Sequence, residues 1–115
     1  MAATIPLRAQ DETPSPGTLI ERAGAMVPVL RARAAKAAAE RRVPDESIAE
    51  MKAAGFFRIL QPRRWGGYEM HPNVFFEVQK RIAEGCMSTG WVYGVVGCHP
   101  YEIALFDDRA QREVW

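Results

Sequence analysis

Proline and glycine punctuate this chain at intervals that leave room for helices between them. Pro44 and Asp45 open one run that closes at Gly55, and Pro72 and Asn73 open another that closes at Gly85. Proline suits the first turn of a helix, and an acid there meets the positive end of the helix dipole. Glycine accepts the left-handed conformation in which helices commonly end. Between these marks apolar residues recur at three- and four-residue spacing: Leu19, Ala23, Met26 and Leu30; Ile48 and Met51; Val74, Phe75, Val78 and Ile82. That spacing puts each set on one face of a helix. The alanine-rich stretch from Ala32 to Ala39 favours helix as well. The expectation is an all-α segment of four to six helices.

The local signals predict the boundaries. Thr18-Leu19-Ile20-Glu21 has the pattern of a capping box, so the first helix is expected to start there. Pro28 is expected to kink that helix or restart it. Phe56 to Leu60, bounded by Pro62, reads as extended or irregular, and Arg63 to Tyr68 as a loop turned by Gly66-Gly67. Glu77 and Arg81 are spaced for an ion pair. Ser88 or Thr89 is expected to cap a fourth helix, and Asp107 or Asp108 a last one toward Trp115. Residues 1–17, with Pro6, Pro14, Pro16 and Gly17, read as a flexible leader, and residues 18–115 as the helical domain. The chain stops at Trp115 inside a helical pattern with no closing signal, the expectation for the N-terminal piece of a longer protein.

Charge and cysteine usage narrow the function classes. A net charge of +1 gives no electrostatic case for binding nucleic acid or an anionic membrane surface. Arg31, Arg33, Arg41 and Arg42 form the densest cationic set and read as a solvated helix face or a subunit contact. No apolar stretch approaches the ~20 residues that span a bilayer. Cys86 and Cys98 lack metal-ligand spacing and a nearby second histidine, so no metal site is expected. They read as reduced thiols of a cytoplasmic protein.

The run from Trp91 to Tyr101 carries the chemistry. His99 stands directly before Pro100, which is expected to break the helix and turn the imidazole toward a cavity. Histidine titrates near neutrality, so His99 reads either as a core residue bonded to a backbone carbonyl or as a pocket base or donor. Gly90, Gly94 and Gly97 share one helical face at spacings of four and three, which implies close approach by another helix or by a flat ring. Trp91 lies on a neighbouring face, and an indole near an imidazole can line a pocket for an aromatic ligand. His71, before Pro72, reads as structural or incidental.

The strings Pro44-Asp45-Glu46-Ser47, Ala54-Gly55-Phe56-Phe57-Arg58-Ile59-Leu60-Gln61-Pro62 and Trp65-Gly66-Gly67-Tyr68 resemble the N-terminal helical domain of the acyl-CoA dehydrogenase superfamily. Ser88-Thr89-Gly90-Trp91-Val92, His99-Pro100 and Ala104-Leu105-Phe106 resemble its two-component flavin-dependent monooxygenases, which hydroxylate 4-hydroxyphenylacetate or a phenolic secosteroid. The resemblance covers residues 18–115. It implies a subunit with a middle β-barrel and a C-terminal helical bundle, both absent here, so that the fragment alone would be inactive. It further implies a homotetramer and a reduced flavin, FMN or FAD, supplied by a separate NAD(P)H-dependent flavin reductase. Oxygen and that flavin would hydroxylate an aromatic small molecule. By the same resemblance His99 is the catalytic and substrate-binding residue, Trp91 borders flavin and substrate, and Tyr101 is a wall of the substrate pocket. Two other readings stand beside it: an acyl-CoA dehydrogenase using FAD, and a non-enzymatic helical interaction module.

Overall fold

The helices of the chain follow its proline and acid marks closely, with three exceptions. A computed structural model describes residues 13–115. Among them are five α-helices: α1 Pro16–Glu40, α2 Asp45–Ala53, α3 Pro72–Gly85, α4 Met87–Ile103 and α5 Asp108–Val114. Two 3-10 turns, Phe56–Arg58 and Arg63–Trp65, fill the stretch between α2 and α3. No strand occurs among the described residues. The expected leader lies outside the described residues up to position 12, and α1 begins at Pro16, inside the part that remains.

The first exception is the start of α1. Ser15, not Thr18, is its cap: the Ser15 Oγ accepts the Thr18 N–H at 3.1 Å, and Pro16 occupies the first turn. Proline's fixed φ is already helical, so the cap moves to the residue before it. The second is Pro28, which lies inside α1 without ending it. Pro28 is exposed, while Leu19, Ala23, Leu30 and Ala37 are buried on either side of it. The packing of those residues holds the helix through the one lost hydrogen bond. The third is α4, which runs unbroken through His99 and Pro100 to Ile103. Its N-cap is Cys86, with no side-chain cap bond, rather than Ser88 or Thr89.

At three other marks local chemistry and structure agree. Gly55 ends α2 at φ 88°, Gly66 turns the second 3-10 segment at φ 91°, and Asp107 caps α5 by accepting the Ala110 N–H at 3.0 Å. Glu77 pairs with Lys80 at 3.1 Å and Arg81 with Glu84 at 3.4 Å, so the expected Glu77–Arg81 pair is replaced by two pairs three residues apart. Three of the four clustered arginines find partners within the described residues. Arg33 grips Glu50 with two bonds of 2.8 and 2.9 Å and reaches Ser47 Oγ, Arg31 donates to the Glu84 carbonyl, and Arg42 pairs with Asp45.

The core is one cluster shared by α1, α2, α3, α4 and the irregular link. Leu19, Ala23 and Leu30 of α1 join Met51, Phe56, Ile59, Phe75, Val78, Ile82 and Tyr93. Tyr93 is fully buried and ringed by Phe75, Phe57 and Phe56 at 5.2, 5.6 and 6.2 Å between ring centres. Its hydroxyl donates to the Phe56 carbonyl at 2.9 Å, and burial pushes the phenol far above its ordinary range. The α4 stripe of glycines explains how the helix comes so close. A Cβ on Gly90 would lie 2.7 Å from Ala83 Cβ, and one on Gly97 would lie 2.7 Å from the Phe75 ring. One on Gly94 would overlap the Gln79 amide. The partner of the glycine face is therefore α3, and the alternative of a flat ring seated there is excluded.

Candidate active-site face of α4

With its glycine side closed against α3, α4 offers its opposite side. Trp91, Val95 and His99 follow one another at four-residue spacing, so their side chains stack on one face. That face is uncovered: Trp91 is 72 % exposed, Met87 one turn before it 73 %, and Leu105 past the helix end 75 %. Several large apolar side chains side by side in solvent are unusual for a closed domain and mark a surface meant to be covered. His99 and Trp91 are thus brought to the same face, two turns apart.

The expected turn of His99 into a cavity does not occur. Pro100 removes one hydrogen-bond donor but leaves the helix intact, because Gly97 and Tyr93 pack on Phe75 and the end of the helix is held from outside. The His99 side chain is 52 % exposed, and its Nδ1 lies 3.3 Å from Glu102 Oε2. It is not a core histidine bonded to a backbone carbonyl either.

A cavity of about 330 Å³ does lie beside it, on the flank of α4 that faces α3. Tyr101, Cys98 and Glu102 line it together with Phe75, Phe76 and Leu60. The lining is mostly apolar and aromatic, with one carboxylate and one thiol, the composition usual for a small-molecule site. Tyr101 is thus one wall of this cavity, and Glu102, 3.3 Å from His99 Nδ1, connects His99 to it. Sequence reasoning passed over Glu102. Its three-residue spacing from His99 was the available signal.

The end of α4 is fixed by a network that the sequence also concealed. Gln111 is buried, and its amide N–H groups donate to the carbonyls of Ala104 and Phe106 at 3.0 and 2.7 Å. Its Oε1 accepts from Trp65 Nε1 at 2.9 Å and from Arg64 at 2.7 Å. Arg64 also pairs with Asp108 at 2.8 Å and holds that carboxyl below its ordinary value. The Trp65-Gly66-Gly67 segment thus clamps α5 to the last turn of α4, behind Tyr101 and Glu102.

A helical bundle with this motif order and this outward face defines a class. Residues 23–115 match the family described as acyl-CoA dehydrogenase, N-terminal domain, and the chain belongs to that family. Within it, the chain is 44 % identical over 96 residues to the flavin-dependent monooxygenase, oxygenase subunit HsaA, of Rhodococcus jostii, covering 84 % of this chain and 25 % of that protein. It is 33 % identical over 97 residues to the FADH(2)-dependent resorcinol hydroxylase, oxygenase component, of a Rhizobium strain, covering 84 % of this chain and 24 % of that one. The crystal structure of the HsaA monooxygenase from M. tuberculosis superposes with a TM-score of 0.85 at 42 % identity, covering 89 % of this chain and 27 % of that chain. The chain spans about a quarter of the length of these relatives. Among the described residues, no helix is long and apolar enough to cross a membrane.

Proposed function

We propose that this chain serves as the N-terminal helical domain of the oxygenase component of a two-component flavin-dependent monooxygenase that hydroxylates a phenolic substrate. The observation that carries the reading is the outward face of α4, where Trp91 and His99 are aligned and Glu102, the partner of His99, lines an aromatic pocket. Relatives named as flavin-dependent oxygenase subunits, over nearly the whole described chain, support it. The remaining parts of such a subunit, a β-barrel and a C-terminal helical bundle, would cover that face. In this reading the assembly is a cytoplasmic homotetramer served by a separate NAD(P)H-dependent flavin reductase.

Reduced flavin, FMN or FAD, supplies the oxygen activation when bound. The residues present fit such a group at one place: the exposed Trp91 indole offers a flat apolar surface for a ring. The glycine face is filled by α3 and offers none. His99 handles the proton. With Glu102 3.3 Å from Nδ1, the stable neutral tautomer carries its hydrogen on Nδ1 and donates it to the carboxylate. Nε2 is then left with a lone pair that can accept the phenolic proton of the substrate. Loss of that proton raises the electron density of the ring carbon that receives oxygen. Tyr101, with Phe75 and Phe76, holds the apolar part of the ring.

The test uses the full-length protein with chemically reduced flavin, labelled O₂ and a panel of phenols. The reading expects one labelled oxygen atom in the product. Oxidised flavin bleached by an acyl-CoA, with no hydroxylated phenol, would replace it with a dehydrogenase. A full-length protein with no affinity for flavin would make the chain an interaction module.

A further inference from the structure

The same stretch of α4 gathers three metal-binding side chains of different kinds. Cys98, His99 and Glu102 each offer one ligand atom, and the three atoms lie within 4.8 Å of one another. The helix explains this convergence. Glu102 is four residues after Cys98 and three after His99, the two spacings at which side chains of a helix meet. A tetrahedral zinc with bonds of about 2.0–2.3 Å sets its donors about 3.3–3.8 Å apart, so small rotations of these partly exposed side chains close the set.

We propose that Cys98, His99 and Glu102 bind a borderline-soft divalent cation, with zinc the best match. Thiolate, imidazole and carboxylate together suit zinc, whereas magnesium and calcium take oxygen donors alone. Three protein ligands leave a fourth position open. Cys98 and Glu102 also line the 330 Å³ cavity, so that position faces the pocket. The Cys98 thiol, which now donates to the Val95 carbonyl at 3.3 Å, gives up its proton to solvent when the metal–sulfur bond forms. The metal also takes an imidazole lone pair and the Glu102 oxygen that orients His99. Zinc therefore switches off the proton route described above. Only this consequence rests on the proposed hydroxylation; the binding itself does not.

Titration of the full-length protein with Co²⁺ reads the site directly. A thiolate-to-cobalt charge-transfer band should grow to saturation, be displaced by Zn²⁺, and vanish in Cys98→Ser. Glu102→Gln should weaken binding at least about tenfold. Zn²⁺ should also protect Cys98 from alkylation, mapped by peptide mass. No charge-transfer band, or an unchanged band in Cys98→Ser, overturns the site. Full metal binding with undiminished hydroxylation keeps the site and removes His99 from the reaction, which separates the two claims.

Discussion

The two sides of α4 obey opposite rules. The inner side carries Gly90, Gly94, Gly97 and Tyr93 and is closed to within van der Waals contact by Ala83, Gln79 and Phe75. The outer side carries Trp91, Val95 and His99, aromatic and apolar groups left in solvent. On a helix of an isolated domain the large apolar residues would face inward. Here glycines and a single large ring, Tyr93, face inward while further large apolar residues face outward, so the helix is built to be covered from both directions. The inner side makes the fold, and the outer side is available for chemistry.

Three results would break or sharpen this contrast. Tyr93→Ala empties the centre of the inner side and should cost about 3–5 kcal/mol in denaturant unfolding. A cost below about 1 kcal/mol would mean that the inner side is not a closed core. Gly90→Val forces a branched side chain against Ala83 and should cost about 1–3 kcal/mol by overpacking. If that variant unfolds like the parent, α3 and α4 have slack between them. On the outer side, Trp91→Ala should leave unfolding within about 0.5 kcal/mol while weakening capture of reduced flavin or of the phenol. The opposite pattern, lost stability with unchanged binding, would make this side a plain domain contact.

The smallest effect lies away from α4. The Arg33 hydrogen bonds hold the Glu50 carboxyl below its ordinary value of 4.5, and Arg64 holds Asp108 below its ordinary 3.8. Because both folded-state values are depressed, their stabilisation is present above the ordinary values and disappears as pH falls through the depressed ones. Both pairs are exposed and screened, so the midpoint of thermal unfolding should fall only slightly on acidification. Glu50→Gln should flatten that part of the curve, and an identical slope would show that Glu50 is not the group titrating.

How much could be read from the chain depends on the range of the interaction. Helix positions, the Gly55 and Gly85 ends and the Asp107 cap follow from contacts within a few residues, and they were legible. The motif strings located the family as well. The unbroken course of α4 was not legible, because a proline rule describes an isolated helix. Here Phe75, twenty-five residues earlier, and Gln111, eleven later, hold the helix on both sides of Pro100. The pocket was half legible. The family strings singled out Tyr101, but that it shares a cavity with Phe76, Leu60 and Glu102 follows only from the packing of α3, α4 and the irregular link. The glycine stripe was recognised as a place of close approach, but only the fold decides that the neighbour is a helix.

The most direct test of the outer face is the coupling of oxygen use to hydroxylation in full-length His99→Ala. Product formed per O₂ consumed and hydrogen peroxide released would be measured beside thermal unfolding. The account predicts hydroxylation slowed by about tenfold to ten-thousandfold, oxygen diverted to peroxide, and an unchanged unfolding midpoint, since His99 packs against nothing in the core. Unchanged coupling with a lowered midpoint would contradict it and make His99 a structural residue of α4.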